Sequence, residues 1–170
     1  DTSKDSDGGA WRNRTQGTSW YNEALNTSTR GATKKFPAVA VIVTEDEKLT
    51  IYDGDDPAMP MWMQFANQIS VGLIKGAQKT SVTARDGSIF LGTLDGLFDI
   101  SFIKDSSFWY TGSTSYGGYY NGNIAQRQET FVYQYQAVSN SSVNIAHSDV
   151  NDIAVTVLPN APIDADTGLP

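Results

Sequence analysis

The side chains best suited to acid–base chemistry are aspartates in the middle of the chain, namely Asp86, Asp95, Asp99 and Asp105. Glycoside hydrolysis needs a pair of carboxylates that face each other across a sugar ring. The sequence pattern places all of these aspartates at turns, where aspartate is common because its side chain bonds nearby backbone groups. We therefore predict no catalytic carboxylate pair.

The residues for nucleophilic catalysis are equally sparse. The chain has a single histidine, His147, followed by Ser148 and Asp149, and it has no cysteine. Neighbours in sequence do not form a catalytic triad, and the chain contains no Gly-x-Ser-x-Gly motif. The sequence therefore offers no catalytic residues and no cofactor motif.

The acidic loop Asp53-Gly54-Asp55-Asp56-Pro57 is a weak candidate for a Ca²⁺ site. Calcium takes roughly six to eight oxygen ligands, and this loop lacks the spaced carboxylates and the distal glutamate of an EF-hand. We predict instead a turn in which the side chains of Asp53, Asp55 and Asp56 bond their own backbone.

Residues 103–123 contain several aromatic residues that are separated by Gly, Ser, Thr and Asn. Tyr and Trp give rigid stacking surfaces and small polar residues give adaptable hydrogen bonds, which is the mixture that recognition loops use. The pattern therefore predicts a binding loop for a partner or a glycan. The alternative is a Gly-rich connection whose rings pack onto a sheet. The candidate ligand-binding residues are Trp109, Tyr110, Tyr116, Tyr119 and Tyr120.

Residues 1–35 are predicted to form an N-terminal arm with large apolar side chains. Two interpretations stay open for these side chains: they pack the arm against the sheet that follows, or they anchor it to a partner protein. The residues concerned are Trp11, Trp20 and Tyr21.

The same arm carries a helix signal. Ser19 or Thr18 is suited to cap a short helix over residues 20–25, with Glu23 near the third helical position.

Residues 36–158 are predicted to form an all-β domain of antiparallel meander sheets. Residues 38–44 are a β-branched run, Lys48–Asp53 alternates polar and apolar residues, and residues 61–65 alternate Met and Phe with Trp and Gln. Short β-runs at residues 81–84, 88–92 and 97–102 follow, separated by the pairs Asp86-Gly87 and Asp95-Gly96, and further strands are predicted at residues 128–138 and 143–146. An Asp-Gly pair between two β-runs is a strong hairpin signal.

The two meanders resemble each other and predict repeat units near residues 36–79 and 80–158. The corresponding valines, Val41 and Val82, lie 41 residues apart, and residues 152–157 look like the first strand of another unit. A period of about 40 residues with short strands is typical of β-propeller blades. A ring needs at least about four blades, so we expect either a longer protein, with 159–170 as a linker, or a small sandwich.

The charge and hydropathy of the chain argue against several classes of binding partner. The formal net charge of −7 argues against a nucleic-acid partner and against an anionic membrane surface. The chain has no run of about 18 apolar residues, so we expect no membrane insertion.

The first 65 residues contain the motifs GGAWR, TSWYNE, TRG, FPAVAVIV, TIYDGDDP and MWM in that order. This region resembles the N-terminal region of large structural proteins of marine tailed bacteriophages, in which such motifs precede propeller-like β-repeats. The remainder of the chain matches those proteins only in style.

The resemblance implies a non-enzymatic virion component of the tail or tail fibre, which acts in assembly or host attachment. It implies other virion proteins as partners, a homo-oligomer and a possible host glycan, and it transfers no catalytic residues. The alternative, from the aromatic residues, is a secreted carbohydrate-binding β-module.

Overall fold

The computed structural model describes residues 1–45, 48–66, 73–74, 78–112, 117–128, 135–138 and 144–170. Within these residues the chain is mostly β-structure, with one four-residue α-helix, α1 (Ser19–Asn22), and short 3₁₀ turns at Thr2–Lys4, Ala10–Asn13 and Ile124–Gln126. In this part of the chain no helix is long and apolar enough to cross a membrane.

The strands form two antiparallel sheets in which every strand lies beside its neighbour in sequence. One sheet has three strands, β1 to β3, and the other has six, β4 to β9. The predicted all-β meander is therefore confirmed. The strands are β1 Ala40–Glu45, β2 Lys48–Asp53, β3 Met61–Ala66, β4 Lys79–Arg85, β5 Ser88–Thr93, β6 Gly96–Ser101, β7 Ser106–Tyr110, β8 Gly118–Tyr120 and β9 Tyr135–Ala137.

The predicted Asp-Gly turns differ in their outcome. Asp86 and Gly87 have φ angles of 51° and 77°, so both central residues adopt the left-handed conformation that a tight hairpin turn requires. The second turn lies one residue earlier than predicted. Gly96 is the first residue of β6 and pairs with Thr93, so it belongs to the strand and not to the turn. A Cβ atom on Gly96 would lie 2.1 Å from the carbonyl oxygen of Tyr110, so this glycine allows a close approach of β7.

Each sheet is a meander, but the two have three and six strands, and the predicted 41-residue spacing does not relate residues on the same face. Val41 is 37% exposed, whereas Val82 is half-buried against the core. Ile42, 40 residues before Val82, also packs against the core. Successive side chains of a strand point to opposite faces, so a comparison shifted by one residue sets an outward residue against an inward one.

The structure differs from the predicted elements in the aromatic segment and in the residues that follow it. Residues 103–123 are not one loop, because Ser106–Tyr110 and Gly118–Tyr120 pair as β7 and β8. The predicted strand at 128–138 includes β9, but residues 129–134 lie outside the described part of the chain. In the predicted strand at 143–146, Val143 also lies outside it, and Asn144 forms an isolated bridge with Thr111.

The predicted strand at residues 152–157 is not formed. The segment instead lies extended over the outer face of the six-stranded sheet, where the N–H of Val150 donates to the carbonyl oxygen of Thr93 at 3.0 Å. A Cβ atom on Gly92 would lie 2.9 Å from Val150 and 3.2 Å from Ile153. None of the described strands forms a ladder with this segment.

Residues 159–170, predicted to be a linker, fold back onto the chain. The Asp164 carboxylate accepts hydrogen bonds from the backbone N–H groups of Asp166 and Thr167 at 3.1 and 2.9 Å. The carbonyl oxygen of Thr167 accepts a hydrogen bond from Arg14 at 2.9 Å, and Leu169 is buried. This turn therefore contacts the N-terminal arm.

The arm supplies the centre of the core. Trp20 lies 5.5 Å from Trp62 of β3 and 5.6 Å from Phe102 at the end of β6, measured between ring centroids. Phe36 lies 4.9 Å from each of the same two rings, and Trp11 lies 5.2 Å from Phe36. The arm is thus packed against both sheets, as the first of the two interpretations of its aromatic residues states.

The helix of the arm is shorter than predicted. The residues at its two ends, Ser19 and Glu23, bind side chains from distant parts of the chain. The N–H and hydroxyl of Ser19 both donate to the carboxylate of Asp105, at 2.6 and 2.8 Å. Glu23, predicted near the third helical position, instead lies at the C-terminal cap of α1 and turns toward two arginines.

The Glu23 carboxylate forms a bidentate pair with Arg127, at 2.7 and 2.9 Å, and its Oε1 lies 3.6 Å from Nε of Arg30. The side chains of Arg30 and Arg127 are 0% and 2% exposed. Burial lowers the pKa of Arg30 to about 10, with Glu23 acting in the opposite direction and Arg127 adding to the decrease. One carboxylate therefore balances two buried positive charges.

Replacing Glu23 with Gln should destabilise the fold by roughly 3–5 kcal/mol, because it leaves buried guanidinium groups without a counter-charge. Urea unfolding at neutral pH measures this change in the free energy of unfolding. The matched control is Glu45→Gln, since the Glu45 side chain is 53% exposed beside Lys48 and its pair contributes no more than about 1 kcal/mol. Equal stability of the two variants would contradict the role assigned to Glu23.

Candidate functional site

The structure divides the predicted ligand-binding residues between two faces of the six-stranded sheet. Trp109 and Tyr120 are buried, at 5% and 3% exposure. The indole N–H of Trp109 donates to the carbonyl oxygen of Asp95 at 3.1 Å. The hydroxyl of Tyr120 donates to the backbone carbonyl oxygen of Gln126 at 3.0 Å. In contrast, Tyr119 is 50% exposed and Tyr110 is half-buried. Tyr116 lies outside the described residues.

The alternation of side chains along β7 and β8 explains this division. Trp109 and Tyr120 point to the core with Tyr135 of β9, at centroid distances of 5.9 and 5.5 Å from its ring. Burial raises the pKa of Tyr135, whose hydroxyl lies 2.7 Å from that of Ser107. Two of the four described aromatic residues that were predicted to bind a ligand therefore build the core, and their neighbours in the strands face outward.

The outward residues form a cross-strand row on the outer face of the sheet, which we call the aromatic row. Phe90 pairs with Asp99, Asp99 with Phe108, and Phe108 with Tyr119 in the strand register. Tyr110 lies beside the row, with its ring centroid 4.8 Å from that of Phe108. Neighbours in such a register are in side-chain contact range, so the row offers adjacent rings with one carboxyl group between them.

Asp99 is the chemically distinctive member of the row. It lies within β6, so the prediction that all four central aspartates occupy turns is wrong for this residue. Burial raises the pKa of the Asp99 carboxyl, which a hydrogen bond from Ser88 and the charge of Lys104 only partly offset. Among the described residues its Oδ1 has no hydrogen-bond partner.

Sequence reasoning missed Phe90, and it considered Asp99 only as a catalytic carboxylate and set it aside as a turn residue. The available signal was the alternation in Ser88–Thr93 and Gly96–Ser101, where Phe90 and Asp99 occupy the face opposite to Leu91, Phe98 and Ile100. A single carboxylate within an apolar strand was assigned to turn chemistry because aspartate is common there.

Two other central aspartates hold the N-terminal arm. The carboxylate of Asp86 accepts hydrogen bonds from the N–H and hydroxyl of Ser6 at 2.6 and 2.7 Å. The Asp105 carboxylate accepts from Ser19, as described above, and from the N–H of Ile124 at 3.1 Å. These carboxylates therefore have structural partners.

The acidic loop uses its carboxylates on backbone groups. The Asp55 carboxylate accepts from the N–H groups of Ala38 and Val39 at 2.6 and 3.1 Å. Asp53 accepts from the N–H of Asp55, and Asp56 from that of Ala58. The described residues contain no group of three or more His, Cys, Asp or Glu side chains arranged to hold a metal ion.

A second surface lies on the three-stranded sheet. Val39, Val41 and Val43 are 41%, 37% and 40% exposed, and we call them the valine stripe. The last two lie in β1, which pairs with β2 on one side and with no described strand on the other. Exposed β-branched residues on an open sheet edge are unusual, because such an edge can pair with another chain.

No family model, no curated protein and no solved structure matches this chain.

Replacing Asp99 with Asn should stabilise the protein at neutral pH, with a gain that shrinks as the pH falls toward the ordinary aspartate pKa of 3.8. Because the pKa is raised in the folded state, the folded protein binds more protons than the unfolded chain above that pH, and ionisation of Asp99 lowers the free energy of unfolding as the pH rises. Thermal or urea unfolding across this pH range measures the effect.

Asp95→Asn is the matched control, because Asp95 is an exposed residue of the neighbouring turn. It should change the free energy of unfolding little at any pH. A difference between Asp99→Asn and the parent protein that does not vary with pH would contradict the assignment.

Proposed function

We propose that this chain is a non-enzymatic structural protein of a tailed-phage virion, a tail or tail-fibre component that acts in assembly or host attachment. The resemblance of its first 65 residues to phage structural proteins supports this role. Its partners are then other virion proteins and further copies of itself, and its location is the extracellular particle.

The observation that carries the proposal is the valine stripe on the open edge of β1. The edge leaves backbone N–H and C=O groups without a described strand to pair with, and the stripe adds apolar side chains beside them. Strand addition at such an edge supplies backbone hydrogen bonds, while the alternate side chains supply apolar contact. A second copy of the chain or a neighbouring virion protein would provide the added strand.

The same proposal extends to the architecture. Two meanders with a spacing of about 40 residues fit the size of propeller blades. A propeller closes only when at least about four blades are present, so further repeats in the same or in neighbouring chains would complete the ring. In that arrangement β1 lies at a boundary between units.

Light scattering on the purified chain tests assembly. We expect a defined oligomer rather than the monomer mass of 18.5 kDa. The double variant Val41→Lys, Val43→Lys should weaken self-association by at least about 100-fold, because burying unpaired ammonium groups in an interface costs several kcal/mol.

The matched control is Ile163→Lys, because Ile163 is also an exposed apolar residue, at 64%, but lies away from the sheets. It should leave the mass of the oligomer unchanged. A parent protein that remains monomeric at every concentration, alone or mixed with its virion partners, would overturn the assembly role.

A further inference from the structure

The C-terminal segment leaves a cleft of about 450 Å³ between itself and the outer face of the six-stranded sheet. Phe90 and Asp99 of the aromatic row line the sheet side, and Val155, Val157 and Leu169 line the opposite side. This volume lies in the range of roughly 300–1,000 Å³ that is usual for small-ligand sites. The cleft therefore begins at one end of the aromatic row, whose rings are half-buried except for the exposed Tyr119.

Most of the charged groups around the cleft already have partners. Lys104 pairs with Asp164 at 3.3 Å, and the Asp86 carboxylate binds Ser6. The remaining groups are a cation and an acid, Arg85 and Asp99. Their formal charges oppose each other, so the cleft has no strong preference for an anion or a cation.

Arg85 and Asp99 also have unused hydrogen-bonding capacity. Among the described residues, Nε of Arg85 and Oδ1 of Asp99 have no hydrogen-bond partner. The Nε atom of Arg85 lies 3.7 Å from Oδ1 of Asp86, which is an ion-pair distance but too long for a hydrogen bond. A buried polar group without a partner is costly. The terminal torsion of an aspartate is soft, so a small rotation of Asp99 can turn this oxygen toward the cleft.

The cleft is lined by both apolar and polar side chains, and its two unpaired groups are a donor and an acceptor. A purely apolar ligand would leave both unpaired, and a charged ligand would meet a like charge. Hydroxyl groups donate and accept at once, so a polyhydroxylated neutral ligand satisfies both. The C–H faces of its rings suit an aromatic side chain such as Phe90.

We propose that the cleft and the aromatic row together bind a neutral saccharide. Asp99 accepts a hydrogen bond from a sugar hydroxyl, Arg85 donates to a sugar oxygen, and Phe90 packs against a ring face. Further sugar units of a longer chain lie along Phe108 and Tyr119. The site shares no residue with the valine stripe, so it stands whether or not the chain assembles.

The test is ¹H–¹⁵N NMR titration of the full chain with maltose, cellobiose, lactose and N,N′-diacetylchitobiose, followed by the tetrasaccharides of the same series. At least one disaccharide should shift the amide signals of Asp99, Val155 and Val157. Asp99→Leu should weaken its binding by at least about tenfold, because a hydrogen bond to a charged group is lost.

Two further variants separate binding from folding. Tyr119→Ala, at a half-exposed position, should weaken tetrasaccharide binding while leaving disaccharide binding unchanged. Asp95→Leu, at an exposed position in the neighbouring turn, should change neither. Circular dichroism identifies any variant that fails to fold.

Three outcomes would overturn the proposal: no saccharide shifts the cleft signals at its highest soluble concentration, binding is unaffected by both Asp99→Leu and Tyr119→Ala, or phosphate or acetate shifts the cleft signals in place of the sugars. Light scattering on the same samples keeps this result apart from assembly, since a monomer that binds a saccharide contradicts only the assembly role.

Discussion

The rest of the structure depends on the pairing of one carboxylate, Glu23, with two buried guanidinium groups. Arg127 donates to the carbonyl oxygens of Thr29 and Gln64 as well as to Glu23, and Arg30 donates to those of Trp62 and Lys34. These carbonyls belong to an irregular part of the arm and to β3. The carbonyl oxygens of Trp62 and Thr29 also accept the backbone N–H groups of Gly31 and Gln64, so the two arginines add side-chain donors to a short backbone pairing.

This constraint makes the N-terminal arm part of the core instead of an appendage. Its tryptophans fill the space between the sheets, and its serines bind the carboxylates of Asp86, just after β4, and Asp105, just before β7. With the arm packed internally, the surfaces left for partners are sheet surfaces. The valine stripe belongs to the three-stranded sheet and the aromatic row to the six-stranded sheet, so the proposed assembly surface and the proposed saccharide site use different residues.

The aromatic row shows how a binding surface and a core share the same strands. Trp109 and Tyr120 stabilise the core, while Phe108 and Tyr119 next to them face outward. A carboxyl group, Asp99, is held among these outward rings, where burial raises its pKa. A buried carboxyl group without a full set of hydrogen bonds is unusual, because most buried polar groups have hydrogen-bond partners. A ligand hydroxyl would supply the missing partner.

By itself the sequence determined strands β1 to β6, the Asp86-Gly87 turn and the apolar character of the arm, because alternation and turn chemistry act between near neighbours. Strands β7 and β8 lie in a stretch that the sequence predicted to be a loop. Only the tertiary structure decided which face each aromatic residue occupies, that Glu23 pairs with Arg127 at 2.7 Å, and that the C-terminal segment crosses a sheet face. Those outcomes depend on contacts between residues far apart in the chain. Local propensity carries no information on such contacts, so Asp99 could be recognised as a site residue only once the strands beside it were in place.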